Sequence, residues 1–244
     1  MAKYGIIGAM DVEVNHIIDK FYFMGITTET ISGNEFHSFT FSDNEFVIAK
    51  CGPGKVNSAV CAVIMILFYD VDAIINIGVA GAYKDIPIGS IVVSDKSVQI
   101  DVDTSAVGDE VGFVSGVNKK YFESSKYLGE FIASKIYPYK LFEVSNSKFL
   151  LTDTIIGPVG TSDTYITNKS IVDKVVNSFG VISFDMETAS IAQVCHINNI
   201  DFVSCRVITD NCSGVEYKNN LDKLALAFSK FMVYTMTVLP SKIK

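Results

Sequence analysis

A single-domain α/β fold, with a central mixed β-sheet flanked by helices, is predicted for this 244-residue chain from three observations. Short apolar runs of β-type composition alternate with helical periodicity along the whole chain. Clusters of Gly, Ser, Asn and Asp separate those segments. No composition shift, internal repeat or low-complexity tract divides the chain. One domain over 1–244 follows, since α/β folds of this length are routinely single. With 49% hydrophobic and 19% charged residues, the chain can bury a sizeable core and is not disordered.

Lys3–Gly8 reads as a buried strand, and Asp11–Phe21 as a helix with Val14, Ile17, Ile18 and Phe21 at i, i+3, i+4 and i+7. Three short β-type runs, 26–31, 36–41 and 45–51, are split by Ser-Gly-Asn and Ser-Asp-Asn turns and predict a meander. Gly52-Pro53-Gly54 breaks the chain before a helix over 56–68. A continuous apolar strand, 73–77, then runs into a second glycine-rich turn, Gly78-Val79-Ala80-Gly81-Ala82, completing a βαβ unit. A strand at 90–94 precedes a long polar loop, 101–118, of the kind that often carries function. A helix over 119–136, strands over 141–144 and 149–157, and a short helix over 169–178 follow. The last third repeats the alternation: strand 181–184, helix 187–198, strand 202–208 and a terminal helix from about Lys218 to Val238.

Lys and Arg total 20 against 27 Asp and Glu, and the net charge of −7 opposes sustained contact with a phosphate backbone, so no nucleic-acid partner is expected. Five scattered cysteines without a C-x-x-C pair fit buried thiols in a reducing compartment. His16, His37 and His196 make no H-x-x-H or H-x-x-x-H pair, and no metal is expected. The N-terminal apolar run is too short for a signal peptide and is followed by Asp11 and Glu13; the longest one elsewhere, 59–69, falls well short of the ~20 residues that cross a bilayer. A soluble, cytoplasmic protein without membrane contact is the expectation.

Three acids lie where strands meet loops or helix starts, and in α/β proteins the carboxyl ends of strands open into the ligand crevice. Glu13, in the first turn of the first helix, is either an acid complementing the helix dipole or a charged general base toward water. Glu187 opens its helix directly after a strand, again as a dipole-complementing acid or as an acceptor for a sugar diol, with Met186 beside it as core filler or lining. Asp210 ends the apolar strand 202–208. There it either caps a turn before Asn211 or, poorly solvated, holds a proton at neutral pH and acts as a general acid. Arg206 in that strand is read as the ion-pair partner of an acid. The Gly52–Lys55 turn could cradle an anion but lacks the G-x-x-x-x-G-K-[ST] spacing. Gly8, Gly78 and Gly81 do not form G-x-G-x-x-G.

Six blocks in register then resemble a known family: Gly5–Met10 with Glu13; Gly52-x-Gly54-Lys55-Val56-Asn57; Ile75-Asn76-x-Gly78-x-Ala80-Gly81; Ser162-Asp163-x-Tyr165-Ile166; Asp185–Ala189; and Arg206-x-Ile208-x-Asp210. The family is the 5′-methylthioadenosine/S-adenosylhomocysteine nucleosidases of the purine nucleoside phosphorylase superfamily. The resemblance implies cofactor-free hydrolysis of the N-glycosidic bond of an adenine nucleoside thioether, its small-molecule partner, by a homodimer. Asp210 would protonate adenine N7, with Thr209 beside it. Glu13 would activate water, and Glu187 would hold the ribose hydroxyls with Met186 packed on the sugar. Tyr165 takes the place of the aromatic that stacks on adenine, usually Phe. The Ile166 backbone would read the base edge, and Met10 would line the alkylthio side.

The chain departs from the family pattern near the ribose at Pro53, at Val79 where some members carry Ser, and at Val107 where a partner-subunit Phe often closes the pocket. Tyr217 is the candidate hydrophobic lid after the Asp210 loop. Phosphorolysis by a purine nucleoside phosphorylase, futalosine-type hydrolysis and a non-catalytic nucleoside-binding paralogue are the competing readings. Phosphorolysis calls for basic side chains around the anion, and Lys55 is the only nearby candidate.

Overall fold

The structure is a computed structural model and describes residues 1–83, 85–142 and 150–243. In chain order the elements are β1 (Ala2–Gly8), α1 (Asp11–Phe21), β2 (Thr27–Ile31), β3 (Asn34–Phe41), β4 (Asn44–Lys50), α2 (Lys55–Tyr69), β5 (Ala73–Ala82), β6 (Ile91–Gln99), β7 (Phe122–Glu123), α3 (Lys126–Ala133), α4 (Ile136–Phe142), β8 (Thr154–Thr161), α5 (Lys169–Phe179), β9 (Ser183–Asp185), α6 (Thr188–Asn198), β10 (Asp201–Asp210) and α7 (Gly214–Met236).

The strands form one mixed sheet, as the alternating pattern predicts. β1 lies between β4 and β5, parallel to both, and β3 and β2 extend the β4 edge as an antiparallel meander. On the other side of β5 the sheet closes on itself. β5 pairs with β10 and β9, β10 with β6, β6 with β8, and β8 with β9. Strand alternation sends neighbouring side chains to opposite faces. On β1, Tyr4 and Ile6 enter a core with Val14 and Ile17 of α1 and Phe228 and Phe231 of α7. Ile7 enters a second core with Cys61 and Met65 of α2 and Ile191 and Cys195 of α6. All five cysteines are free, and four are buried. No helix among the described residues is long and apolar enough to cross a membrane.

Four expectations need correction. The helix expected over 119–136 is replaced by β7 and the shorter α3. Lys96 and Ser97 of β6 pair with Glu123 and Phe122, and the Ser124 and Ser125 N–H groups donate to Asp95 and Phe202, so the sheet edge takes the backbone bonds a helix would need. The strand expected at 141–144 gives way at its start to the end of α4; 143 and 144, and Phe149 at the start of the next expected strand, lie outside the described residues. That next strand is β8, which begins at Thr154 and runs four residues past the expected end at Gly157 because it pairs with both β6 and β9. The glycine-rich turn after Ile77 is instead the continuation of β5, paired to β10 through Gly81 and to β9 at Gly81 and Ala82. There glycine serves close approach: a Cβ on Gly78, which has φ +150°, would stand 2.3 Å from Glu13 Oε1.

Candidate active site

The carboxyl ends of β1, β5, β9 and β10 converge on a cavity of about 110 Å³ whose lining includes Glu13, Glu187, Arg206 and Asp210. Met10, Pro53, Val79, Tyr165, Met186 and Tyr217 line it too. Residues far apart in the chain thus meet in one place, as expected of strand ends at a crevice. Ile166 borders an adjoining small cavity together with Asp210 and Tyr165. Thr209 lines neither; it is buried behind Asp210.

Glu13 reaches the cavity because α1 starts immediately after β1. Its Oε2 accepts the Ala9 and Met10 N–H groups at 2.7 and 2.9 Å, and its Oε1 accepts the Val79 N–H at 2.9 Å. Oε2 is therefore saturated, while Oε1 keeps one lone-pair direction. Burial raises the Glu13 pKa, against the pull of Arg206 and these three N–H donors. Glu13 does serve the helix start, accepting the N-cap Met10 N–H from position N3, but it does so while 2% exposed and lining the cavity.

Glu187 caps α6. Its Oε1 accepts the Gly54 N–H at 2.9 Å, and its Oε2 lies 3.1 Å from Arg206 Nη2. Each oxygen keeps one acceptor direction toward the cavity, the pattern a vicinal diol requires. Burial, opposed by Arg206 and reinforced by Asp185, pushes the carboxyl up to about 7. Arg206, 1% exposed, also pairs with Asp185 at 2.8 Å and donates to Asn76 Oδ1 at 2.6 Å and to the Val79 carbonyl at 3.2 Å. The structural ion-pair reading of Arg206 therefore holds, and its charge is shared among Asp185, Glu187 and Glu13. Asp185 in turn accepts from Thr161 Oγ1 at 2.5 Å and from the Thr188 hydroxyl, which locks the Asp-Met-Glu segment.

At the end of β10, Asp210 is 1% exposed, and burial raises its pKa. The Ser213 N–H donates to its Oδ1 at 2.9 Å, as the turn-capping reading expects, and the burial matches the poor solvation expected there. Thr209 Oγ1 lies 3.0 Å from Asp210 Oδ2 and 3.3 Å from the Ala80 carbonyl. A hydroxyl has one proton to give. It donates to one of these acceptors at a time, and its bond to Oδ2 favours the ionised form of Asp210 against the effect of burial. Tyr165, 45% exposed, and Tyr217, in the first turn of α7, form a tilted aromatic pair with centroids 5.5 Å apart. After burial, the charge of Asp210 is the largest influence raising the Tyr165 pKa, and a hydrogen bond from the phenol to the Asp210 carboxylate adds to it. Tyr217 Oη approaches Met10 Sδ at 3.7 Å, so the candidate lid is held to the opposite wall. Val107, 81% exposed in a short 3-10 turn, does not line this cavity.

Sequence reasoning left Phe184 and Gly81 unassigned, though both line the cavity. Their signal was adjacency: Phe184 immediately precedes the Asp185–Glu187 block, and Gly81 lies opposite it in the β5–β9 ladder.

Fold and site together define a nucleoside-cleaving class, and the family model described as the phosphorylase superfamily matches residues 3–236. A 5′-methylthioadenosine/S-adenosylhomocysteine nucleosidase of Shewanella piezotolerans is 32% identical over 229 residues, covering 92% of this chain and 94% of that protein. The Helicobacter pylori nucleosidase of that name, crystallised with butyl-thio-DADMe-Immucillin-A, superposes with a TM-score of 0.87 at 29% identity, over 98% of this chain and 99% of the other. A futalosine hydrolase from the same organism reaches a TM-score of 0.85 at 27% identity, covering 98% of both chains. The chain belongs to the phosphorylase superfamily and, within it, to the 5′-methylthioadenosine/S-adenosylhomocysteine nucleosidases.

Proposed function

We propose that this protein hydrolyses the N-glycosidic bond of 5′-methylthioadenosine and S-adenosylhomocysteine, releasing adenine and the thioribose product. The observation that carries the reading is one cavity lined by three buried acids, Asp210, Glu13 and Glu187, with burial raising the pKa of Asp210. Adenine leaves well only once protonated, and the sugar becomes oxocarbenium-like as the bond breaks. A neutral acid at the base and anions at the sugar meet those opposite demands. In this scheme Asp210 protonates N7, and the Thr209 hydroxyl donates to its Oδ2 from behind, holding the carboxyl in place. The free acceptor direction on Glu13 Oε1 takes a proton from water, and Glu187 accepts the ribose hydroxyls. Tyr165 stacks on the base, Ile166 borders its edge, and Met10, Pro53, Val79, Met186 and Tyr217 shape the sugar and alkylthio side.

Phosphorolysis is disfavoured by charge. Arg206 is already shared among three carboxylates, and Lys55 Nζ is held by Asp101 at 2.7 Å, which leaves neither cation for a phosphate. Adenine release measured with and without phosphate decides between the chemistries, and strict phosphate dependence would sink the hydrolase. Asp210→Asn should lower kcat by roughly 10²–10⁴-fold while a nucleoside analogue still binds. Full turnover in that variant removes Asp210 from the mechanism. Futalosine in the same assay tests the third reading.

A homodimer accompanies this function. Val56, Val60, Val63 and Leu67 lie at i, i+4, i+7 and i+11 on α2 and are 73%, 41%, 37% and 68% exposed, an apolar stripe suited to a second copy. The free, mostly buried thiols support a cytoplasmic setting.

A further inference from the structure

Outside the cavity, three loops are tied together by side chains to which neither the chemistry nor the family resemblance gives a task. Lys55 opens α2 directly after Gly54, which ends the loop following β4; Asp101 lies in the loop after β6, and Asp163 in the loop after β8. Lys55 Nζ donates to Asp101 Oδ1 at 2.7 Å, the Asp163 N–H donates to Asp101 Oδ2 at 3.0 Å, and the Lys55 N–H donates to Asp163 Oδ1 at 2.9 Å. The three bonds form a closed ring, so no loop can shift without breaking at least one. The Lys55 and Asp101 side chains are 17% and 30% exposed and Asp163 is exposed, so the clasp draws its hold from the closure of the ring and the charge on Lys55 and Asp101, not from exclusion of water.

The ring touches both halves of the site. Gly54, one residue before Lys55, donates its N–H to Glu187 Oε1 at 2.9 Å. Tyr165 stands two residues after Asp163, and Ser162, just before it, is anchored by its N–H to the Asp185 carbonyl at 3.1 Å. Gly54 has φ +102°, and a Cβ there would stand 3.2 Å from Asp163 Oδ1, so the two loops also meet at a position that favours glycine. The ribose carboxylate and the base-stacking ring are thus held in register by one electrostatic clasp.

We propose that Lys55, Asp101 and Asp163 form a positioning clamp that sets the spacing between the ribose-binding and base-binding loops for an adenine nucleoside. The proposal rests on the nucleosidase reading. Asp210 and Glu13 lie outside the ring, so opening the clamp disturbs the seating of the nucleoside more than the chemical step and raises KM with little loss of kcat.

The experiment compares Lys55→Met, Asp101→Ala, the double variant and Lys55→Arg with 5′-methylthioadenosine as substrate, with thermal midpoints measured in parallel. Each single change to a neutral side chain should raise KM about tenfold with kcat within about twofold. The double variant should show about the same tenfold, because either change alone opens the ring. Lys55→Arg, which keeps a charged partner for Asp101, should restore most of the affinity. Wild-type KM in both single variants, or independent losses multiplying to about a hundredfold in the double, overturns the clamp. If the wild-type protein releases no adenine, the nucleosidase reading fails instead. The clamp is then tested by calorimetric affinity for the same nucleoside, where the same non-additive loss supports it and unchanged affinity overturns it. Should a variant fold poorly, Asp101→Asn is read in the same way.

Discussion

Burial outweighs Arg206 at Glu187, and the negative charge of Asp185 adds to it, so the carboxyl titrates near 7 and not at its ordinary 4.5. A carboxyl raised in the folded state stabilises the fold while protonated. That contribution is complete below the unfolded value and is lost as pH rises through about 7. Glu13 and Asp210 are shifted in the same direction. The thermal midpoint is therefore expected to fall between about pH 5 and pH 8, and Glu187→Gln should flatten part of that slope. An unchanged slope in the variant would show that Glu187 is not raised. Arg206 makes this concentration of acids tolerable. One guanidinium contacts Asp185 and Glu187 and acts on Glu13, so the site keeps excess negative charge where a cationic sugar would form.

Among the elements, β5 carries the greatest geometric demand. At Gly78 the strand passes so close to the site that a Cβ would stand 2.3 Å from Glu13 Oε1 and 2.9 Å from Arg206 Nη1. Gly78→Ala should cost about 1–3 kcal/mol in urea unfolding and depress adenine release, because overpacking here displaces the Glu13 carboxyl from its place in the cavity. A variant with wild-type stability and rate would mean that the strand yields at no cost. Periodicity foretold α1 over Asp11–Phe21, since its apolar stripe meets the core directly. It failed over 119–136, where pairing to β6 overrode the local pattern, and at 78–82, where glycines serve close packing inside a strand.

For the molecule as a whole, the α2 stripe is the feature a lone chain leaves unexplained. Burying Val56, Val60 and Leu67 against a second copy accounts for apolar side chains that would otherwise face water. Sedimentation of the wild-type protein at micromolar concentration should give a dimer, and Leu67→Asp with Val60→Asp should give a folded monomer. A monomeric wild type sinks the assignment. Val107 stands on an exposed turn away from its own cavity, and loss of activity in the monomer would show that the site depends on the assembly.

Sequence alone determined the alternating α/β class, the single domain and the three acids at strand ends, because strand and helix periodicity and the chemistry of strand termini are local properties. Their convergence was legible only through six blocks taken together. What the tertiary structure decided is everything that depends on burial and on partners distant in the chain. Glu13 meets Val79, Glu187 meets Gly54 and Arg206, and Lys55 meets Asp101 and Asp163. Desolvation and charge pairing set which carboxyl keeps its proton and which loop holds still, and neither is defined until the sheet has closed and excluded water.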